Sequence, residues 1–288
     1  MSVKNEFPEY SKVNILIVGT IRDVAGSIAK ELTNISNAFS GSNKVKFILV
    51  ESDSKDNTAN EINKLRSDLD ITLIEMGHLE DRMPLRTERI AECRNAYLKV
   101  IEKDEFSSFD LVVVADLDGV NLRLKKESVL KLWQTDVPWD VCFGNPKGRY
   151  YDLWALRHTE WCPGDCWVNY KTDRINRMNK FQAYQKNILS KMLNIPKDNP
   201  PILVSSAFGG LGIYRRIDLV GLRYQCINDK GGETCEHVSI NSELTARGKK
   251  LYIMPFLENS GSTEAIRYTQ FPYGIVIKFL SSVARFIK

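Results

Sequence analysis

Apolar residues recur along the first 120 positions in two alternating rhythms, short continuous runs and longer stretches at helical spacing. Val13-Asn14-Ile15-Leu16-Ile17-Val18-Gly19 reads as a buried strand, and the segment from Val24 to Phe39 spaces its apolar residues as a helix does. Val45-Lys46-Phe47-Ile48-Leu49-Val50 predicts a second strand. After it, Ser52, Asp53 and Thr58 supply capping groups for a helix reaching about Ser67. Ile71-Thr72-Leu73-Ile74 is a third strand, and a helix from roughly Arg86 to Ile101 leads into Leu111-Val112-Val113-Val114. Strand and helix in alternation predict the α/β class with an open, doubly wound sheet. Such sheets bind ligands beyond the C-terminal ends of their strands, where Gly19, Glu51 and Asp116 all fall. Past Asp118 the pattern is less regular.

Composition changes this picture little. With 288 residues and 43% hydrophobic content, the chain can bury one large core, and a single domain over 1–270 is expected. A net charge of +4, read as evenly spread apart from basic residues near the C-terminus, argues against nucleic acid as a partner. Six cysteines follow a start, Met-Ser-Val-Lys-Asn-Glu, without a charged-then-apolar signal segment, so a reducing cytoplasm is the expected location. Cys162 and Cys166 are too loosely spaced, with no second pair nearby, to read as more than ordinary thiols. No apolar run reaches the roughly 20 residues of a membrane span.

Candidate chemistry begins where the fourth run ends, in Ala115-Asp116-Leu117-Asp118-Gly119. Carboxylates at i and i+2 lie on one side of an extended backbone, and Mg²⁺ or Mn²⁺ takes oxygen ligands while leaving places for phosphate. Three readings fit these five residues: a nucleotide-sugar transferase whose Asp-x-Asp holds a metal-bound diphosphate, a haloacid-dehalogenase-type phosphatase with an aspartyl nucleophile, or a turn. The phosphatase carries this motif on its first strand, whereas a long α/β stretch precedes it here. Its later parts are missing too, because Gly164-Asp165 lies in a Trp- and Cys-rich loop with no apolar strand before it. A noncatalytic sugar-binding protein on the same fold is the remaining alternative.

Several segments in series resemble a GT-A nucleotide-sugar glycosyltransferase, from about Val13 to Leu257. Val50-Glu51-Ser52-Asp53-Ser54-Lys55-Asp56-Asn57-Thr58 is similar to the family's first acidic segment, and Glu92-Cys93-Arg94-Asn95 to the segment that borders its donor pocket. Arg86-Thr87-Glu88-Arg89-Ile90-Ala91-Glu92-Cys93-Arg94-Asn95 more closely resembles fungal capsule-associated mannosyltransferases and their bacterial relatives. The resemblance implies a nucleotide-binding half over about 11–121 and an acceptor-binding half over about 122–258. It implies a UDP- or GDP-sugar donor, GDP-mannose for the closer likeness, with Gly19, Arg22, Glu51, Asp53, Arg86, Arg94 and Asp116 at the donor and Glu51 on the base. It implies Mn²⁺ or Mg²⁺ on Asp116 and Asp118, with His237 as third ligand. Phe208-Gly209-Gly210-Leu211-Gly212 resembles the glycine segment ahead of the catalytic stretch, and Gly231-Gly232-Glu233-Thr234-Cys235-Glu236-His237 that stretch itself, with His237 where inverting relatives carry Asp. Glu236 is then the expected general base, and Asp152, Glu160 and Asp165 are reserves, Asp165 foremost. Retention and inversion both stay open.

Tyr150, Tyr151, Trp154, Trp161 and Trp167 form an aromatic-rich stretch that reads either as an acceptor platform or as loop packing. From 271 to 288 apolar residues recur at helical spacing between Lys278, Arg285 and Lys288. This C-terminal amphipathic helix is expected at the inner membrane face near a glycan or lipid-linked acceptor, on the core, or on a second subunit.

Overall fold

Residues 7–229 and 231–259 are described by the computed structural model. Because strands covered on both faces need apolar side chains throughout, the runs at 13–19, 45–50 and 111–114 become buried interior strands of one sheet, and the more mixed run at 71–74 becomes its half-buried edge. Strand β1 (Asn14–Ile21) precedes helix α1 (Ile28–Ala38), then β2 (Lys44–Glu51), α2 (Thr58–Leu65), β3 (Ile71–Glu75), α3 (Arg86–Ile101) and β4 (Leu111–Ala115). There follow α4 (Lys126–Leu130), β5 (Val141–Asn145), α5 (Cys166–Ile175), α6 (Lys180–Asn187) and β6 (Ile202–Val204). The described chain closes with β7 (Leu211–Arg215), α7 (Arg216–Leu219), α8 (Glu236–Ala246) and β8 (Leu251–Glu258).

The sheet runs β3-β2-β1-β4-β7-β5-β8-β6. Pairing is parallel for β1 with β2 and β4, for β2 with β3, and for β5 with β8; β7 is antiparallel to β4 and β5, and β6 to β8. The mixed, doubly wound architecture is the one expected. Alternate side chains of β1 and β4 feed two cores: Ile15, Ile17 and Val113 meet Ile28, Leu32 and Ile35 of α1, while Leu16, Val18, Val112 and Val114 meet Tyr97, Leu98 and Ile101 of α3.

Helix α3 has the predicted bounds. Helix α1 starts later than its apolar spacing suggested, because the Val24 amide donates to Thr58 Oγ1 at 2.9 Å and the Ala25 amide to Asp56 Oδ2 at 3.0 Å. These bonds hold 24–27 as a turn against the start of α2. The helix expected over 271–288 lies outside the described residues. Among the described residues no helix is long and apolar enough to cross a membrane.

Candidate active site

Strand order places β1 between β2 and β4, so the chain departs in opposite directions from the C-terminal end of β1. A cleft of about 210 Å³ opens there. Four arginines, Arg22, Arg86, Arg89 and Arg94, line it together with Asp53, Asp116 and Asp118. Gly19 does not line the cleft but lies beneath the loop that does: a Cβ there would stand 2.6 Å from Leu117 Cδ1 and 2.7 Å from the Ala115 carbonyl oxygen. The Asp116 loop can close over β1 only because residue 19 has no side chain.

Beyond β2, the Glu51 and Asp53 carboxylates are both spent on the backbone. Glu51 Oε1 accepts from the Ser54 amide at 2.9 Å, and Ser52 and Asp53, rather than Glu51, reach the cleft wall. Asp53 adopts a left-handed φ of 61°, a conformation Asp tolerates better than most residues, and its Oδ1 accepts from the Glu80 amide at 2.9 Å. Burial opposes its ionisation, but the Glu80 amide, the Ser52 hydroxyl, Arg22 and Arg89 together hold its pKa below the ordinary value. Arg22 is steadied by Glu80 at 3.1 Å.

Arg94 is the hub on the other wall. It stands in the middle of α3, buried, with Nη2 3.1 Å from Asp116 Oδ1 and Nε 3.0 Å from Glu236 Oε1. Its guanidinium lies 5.3 Å from the Phe208 ring centre and 5.7 Å from that of Tyr224. This is no helix-surface ion pair: planar guanidinium bridges two carboxylates and stacks on aromatic faces at once. The Asp116 side chain, 39% exposed, faces the cleft. Withdrawal of water by the surrounding protein raises its pKa to about 7; Arg94 opposes the rise, and Asp118, Asp152 and Glu236 add to it. Asp118 is likewise raised, by burial against the opposing pull of its own amide and Arg86.

Two carboxylates that repel each other at the floor of a cleft fit a divalent cation, which would relieve that repulsion and still leave coordination places for phosphate oxygens. The structure does not gather His237 with them. Among the described residues no three His, Cys, Asp or Glu side chains are spaced to hold a metal. His237 is buried in a stack on Phe208, ring centres 3.6 Å apart, and neither nitrogen has a hydrogen-bond partner. Burial, then Arg94, holds it neutral.

Of the residues expected to act as acid or base, Glu236 is ion-paired to Arg94 at the start of α8. Asp165 caps α5, accepting from the Trp167 and Val168 amides, from Trp154 Nε1 at 3.1 Å and from Arg157 at 3.2 Å. It does not line the cleft. Asp152 is nearer the motif's field: its Oδ2 accepts from the Gly209 amide at 2.9 Å, and burial, reinforced by Glu236, raises its pKa. Much of the aromatic stretch is packing, since Tyr150 is buried against Trp161 and Trp161 Nε1 donates to the Lys191 carbonyl. All six cysteines are buried and unpaired, as ordinary thiols.

The support beneath the motif was not foreseen. Glu31, fully buried on α1, accepts the Asn121 amide at 2.7 Å. The Asn121 side chain donates to the Asp116 carbonyl at 2.6 Å and accepts from Asn259 at 3.0 Å. A carboxylate at a core-facing helical position was the available signal, because such a group needs a buried partner.

No family model and no curated protein matches the sequence. Among solved structures, the fold is similar to the mannosyltransferase PcManGT of Pyrobaculum calidifontis, determined with GDP-Man and Mn²⁺. Identity is 14%, the TM-score is 0.50, and the match covers 95% of this chain and 65% of that one. S. aureus TarS 1-349 with UDP-GlcNAc (11%, TM-score 0.49, 88% and 59%) is more distant. So is glucosyl-3-phosphoglycerate synthase of Mycobacterium tuberculosis with UDP (15%, 0.41, 82% and 66%). The chain spans less than two thirds of the length of the first two and about two thirds of the third. The fold is that of the GT-A glycosyltransferases.

Proposed function

We propose that this protein is a metal-dependent glycosyltransferase that moves a sugar from a nucleotide-sugar donor to a glycan or glycolipid acceptor. One observation carries the reading: the paired carboxylates Asp116 and Asp118 share a switch-point cleft with four arginines. That combination suits a diphosphate, with guanidinium groups pairing its oxygens. The fold agrees, and the similar mannosyltransferase was solved with GDP-Man and Mn²⁺.

In this reading Asp116 and Asp118 are the protein's metal ligands, and a third from His237 requires that ring to leave its stack on Phe208. Bound there, a divalent ion would neutralise charge on the departing nucleoside diphosphate. Arg94 orients Asp116 while Glu236 holds Arg94, so Glu236 acts by positioning. Arg22, Arg86 and Arg89 meet the donor's anionic part, and Asp53 fixes the wall beside them. Asp152 is the better candidate to take the acceptor proton, because it is not ion-paired and its raised pKa brings it closer to the working range of a general base.

The test is thermal shift with UDP-, GDP-, CMP- and dTDP-sugars, each with Mn²⁺, Mg²⁺ or EDTA, on wild type and Asp118→Ala. Ligands that bind the native state raise the melting temperature by mass action. Metal-dependent stabilisation by one nucleotide class, lost in Asp118→Ala, supports the proposal. No stabilisation by any donor sinks it.

A further inference from the structure

Exposed apolar surface is concentrated in one place. Among the described residues, ten large apolar side chains stand well exposed, and five of them fall between 167 and 193: Trp167 (39%), Val168 (47%), Ile175 (80%), Phe181 (66%) and Leu193 (47%). Helix α5 turns Cys166, Tyr170 and Asp173 inward and presents Val168 and Ile175, one heptad apart, to solvent. Phe181 stands on the first turn of α6. Trp167, Tyr170 and Tyr184 pack their rings together between the two helices, so the hairpin is a built unit rather than a loose loop.

Charge is concentrated in the same place. Residues 166–193 carry Lys171, Arg174, Arg177, Lys180, Lys186 and Lys191 against the single carboxylate Asp173, a net of +5. The whole chain nets +4, so the remainder is slightly acidic and the charge is not evenly spread. Asp173 faces inward, engaged by Asn187 at 2.6 Å and Lys186 at 3.1 Å. Lys171, Arg174, Arg177 and Lys180 form no ion pair with any described residue. The hairpin leaves the sheet from the C-terminal end of β5, the end of the sheet at which Asp116 and Asp118 also stand.

We propose that the α5–α6 hairpin is a peripheral anchor that seats on an anionic lipid surface. Ile175, Phe181 and Val168 enter the boundary between headgroups and acyl chains, while Lys171, Arg174, Arg177 and Lys180 meet acidic headgroups. Apolar side chains bordered by unpaired cations are what such an interface selects, since each contributes where the other alone is weak. The anchor is independent of the donor chemistry.

The test is vesicle co-sedimentation of the full chain with phosphatidylcholine alone or mixed with phosphatidylglycerol. Two variants accompany wild type, Ile175→Ser with Phe181→Ser, and Lys171→Glu with Arg174→Glu. Wild type should bind the anionic vesicles, weaken with salt, and ignore phosphatidylcholine. Each variant should lose about tenfold or more in partition, because buried apolar area and headgroup charge set the affinity. The altered residues of the charge variant are exposed, so that variant keeps the test decisive even if the serine pair unfolds. Undiminished binding in the folded variants, or no binding by wild type, overturns the proposal. Self-association lost in the serine variant without vesicle binding also overturns it and assigns the face to a second copy.

Discussion

Between Asn14 and Ala115 every strand lies parallel to a neighbour supplied by the same stretch of chain, and β2, β3 and β4 are each entered from a helix. Between Val141 and Glu258 the sheet is assembled from strands out of sequence: β7 lies antiparallel between β4 and β5, and β8 sits between β5 and β6. The first region carries the arginines and, with the turn at 116–118 that follows β4 and holds the paired aspartates, forms the cleft. The second backs Arg94 with Glu236 and Phe208, and carries the basic hairpin. A repeating strand-helix unit makes a recurring ligand-binding sheet edge, whereas a non-local assembly is free to vary with what it must reach.

The sharpest break between the regions is expected at Asp118. Asp118→Ala removes a proposed metal ligand and little packing, so donor turnover should fall by roughly three orders of magnitude, several kcal/mol of leaving-group stabilisation, with the fold intact. Turnover assays beside thermal melts check both halves of that statement. Arg94→Leu should cost about 3 kcal/mol or more in urea unfolding, because it strands Glu236, buried and without its cation. A loss below 1 kcal/mol would mean that the two regions are not joined through this side chain.

Glu31 tests the coupling by pH. Burial raises its folded-state pKa from 4.5 to about 7, opposed by Asn121. The protonated form is the one the fold favours, so its contribution is complete below the unfolded value and is lost as the pH rises through about 7. Glu31→Gln is neutral throughout, and its stability relative to wild type should improve by about 2–3 kcal/mol between pH 5 and pH 8. A flat difference in urea midpoints across that range would contradict it. Asp116, also raised to about 7, must lose its proton to ligate a metal, so metal-dependent donor affinity should weaken on acidification below that pH. Asp165→Asn should give the smallest effect, about 1 kcal/mol of stability from the lost ion pair with Arg157, with the helix cap and turnover preserved. Turnover lost at full stability would return Asp165 to a chemical role.

Legibility followed the same division. Strands β1, β2 and β4 could be read from the pattern because both of their faces are apolar whatever strand lies beside them, and helix α3 because its apolar residues recur at helical spacing. Asp116, Asp118 and the α3 arginines stood out because chemistry there depends on close spacing along the chain. Glu236 and His237 were visible as residues, but their engagement with Arg94 and Phe208 depends on contacts more than a hundred and almost thirty positions away, respectively, which no local pattern encodes. The same holds for Asn121, whose partners come from α1, from the Gly210 turn and from Asn259. Asp165 misled because a helix cap and a catalytic carboxylate look alike in sequence.

In the proposed reaction the two motif carboxylates hold a divalent ion together with a nucleoside diphosphate. Electron paramagnetic resonance of Mn²⁺, titrated with protein in the presence and absence of UDP or GDP, tests it without requiring the acceptor. Protein and one nucleoside diphosphate together should lower the free-ion signal well beyond what that diphosphate lowers alone, and Asp118→Ala should abolish the difference. Equal Mn²⁺ uptake by wild type and Asp118→Ala, or diphosphate binding unchanged by EDTA, would contradict it.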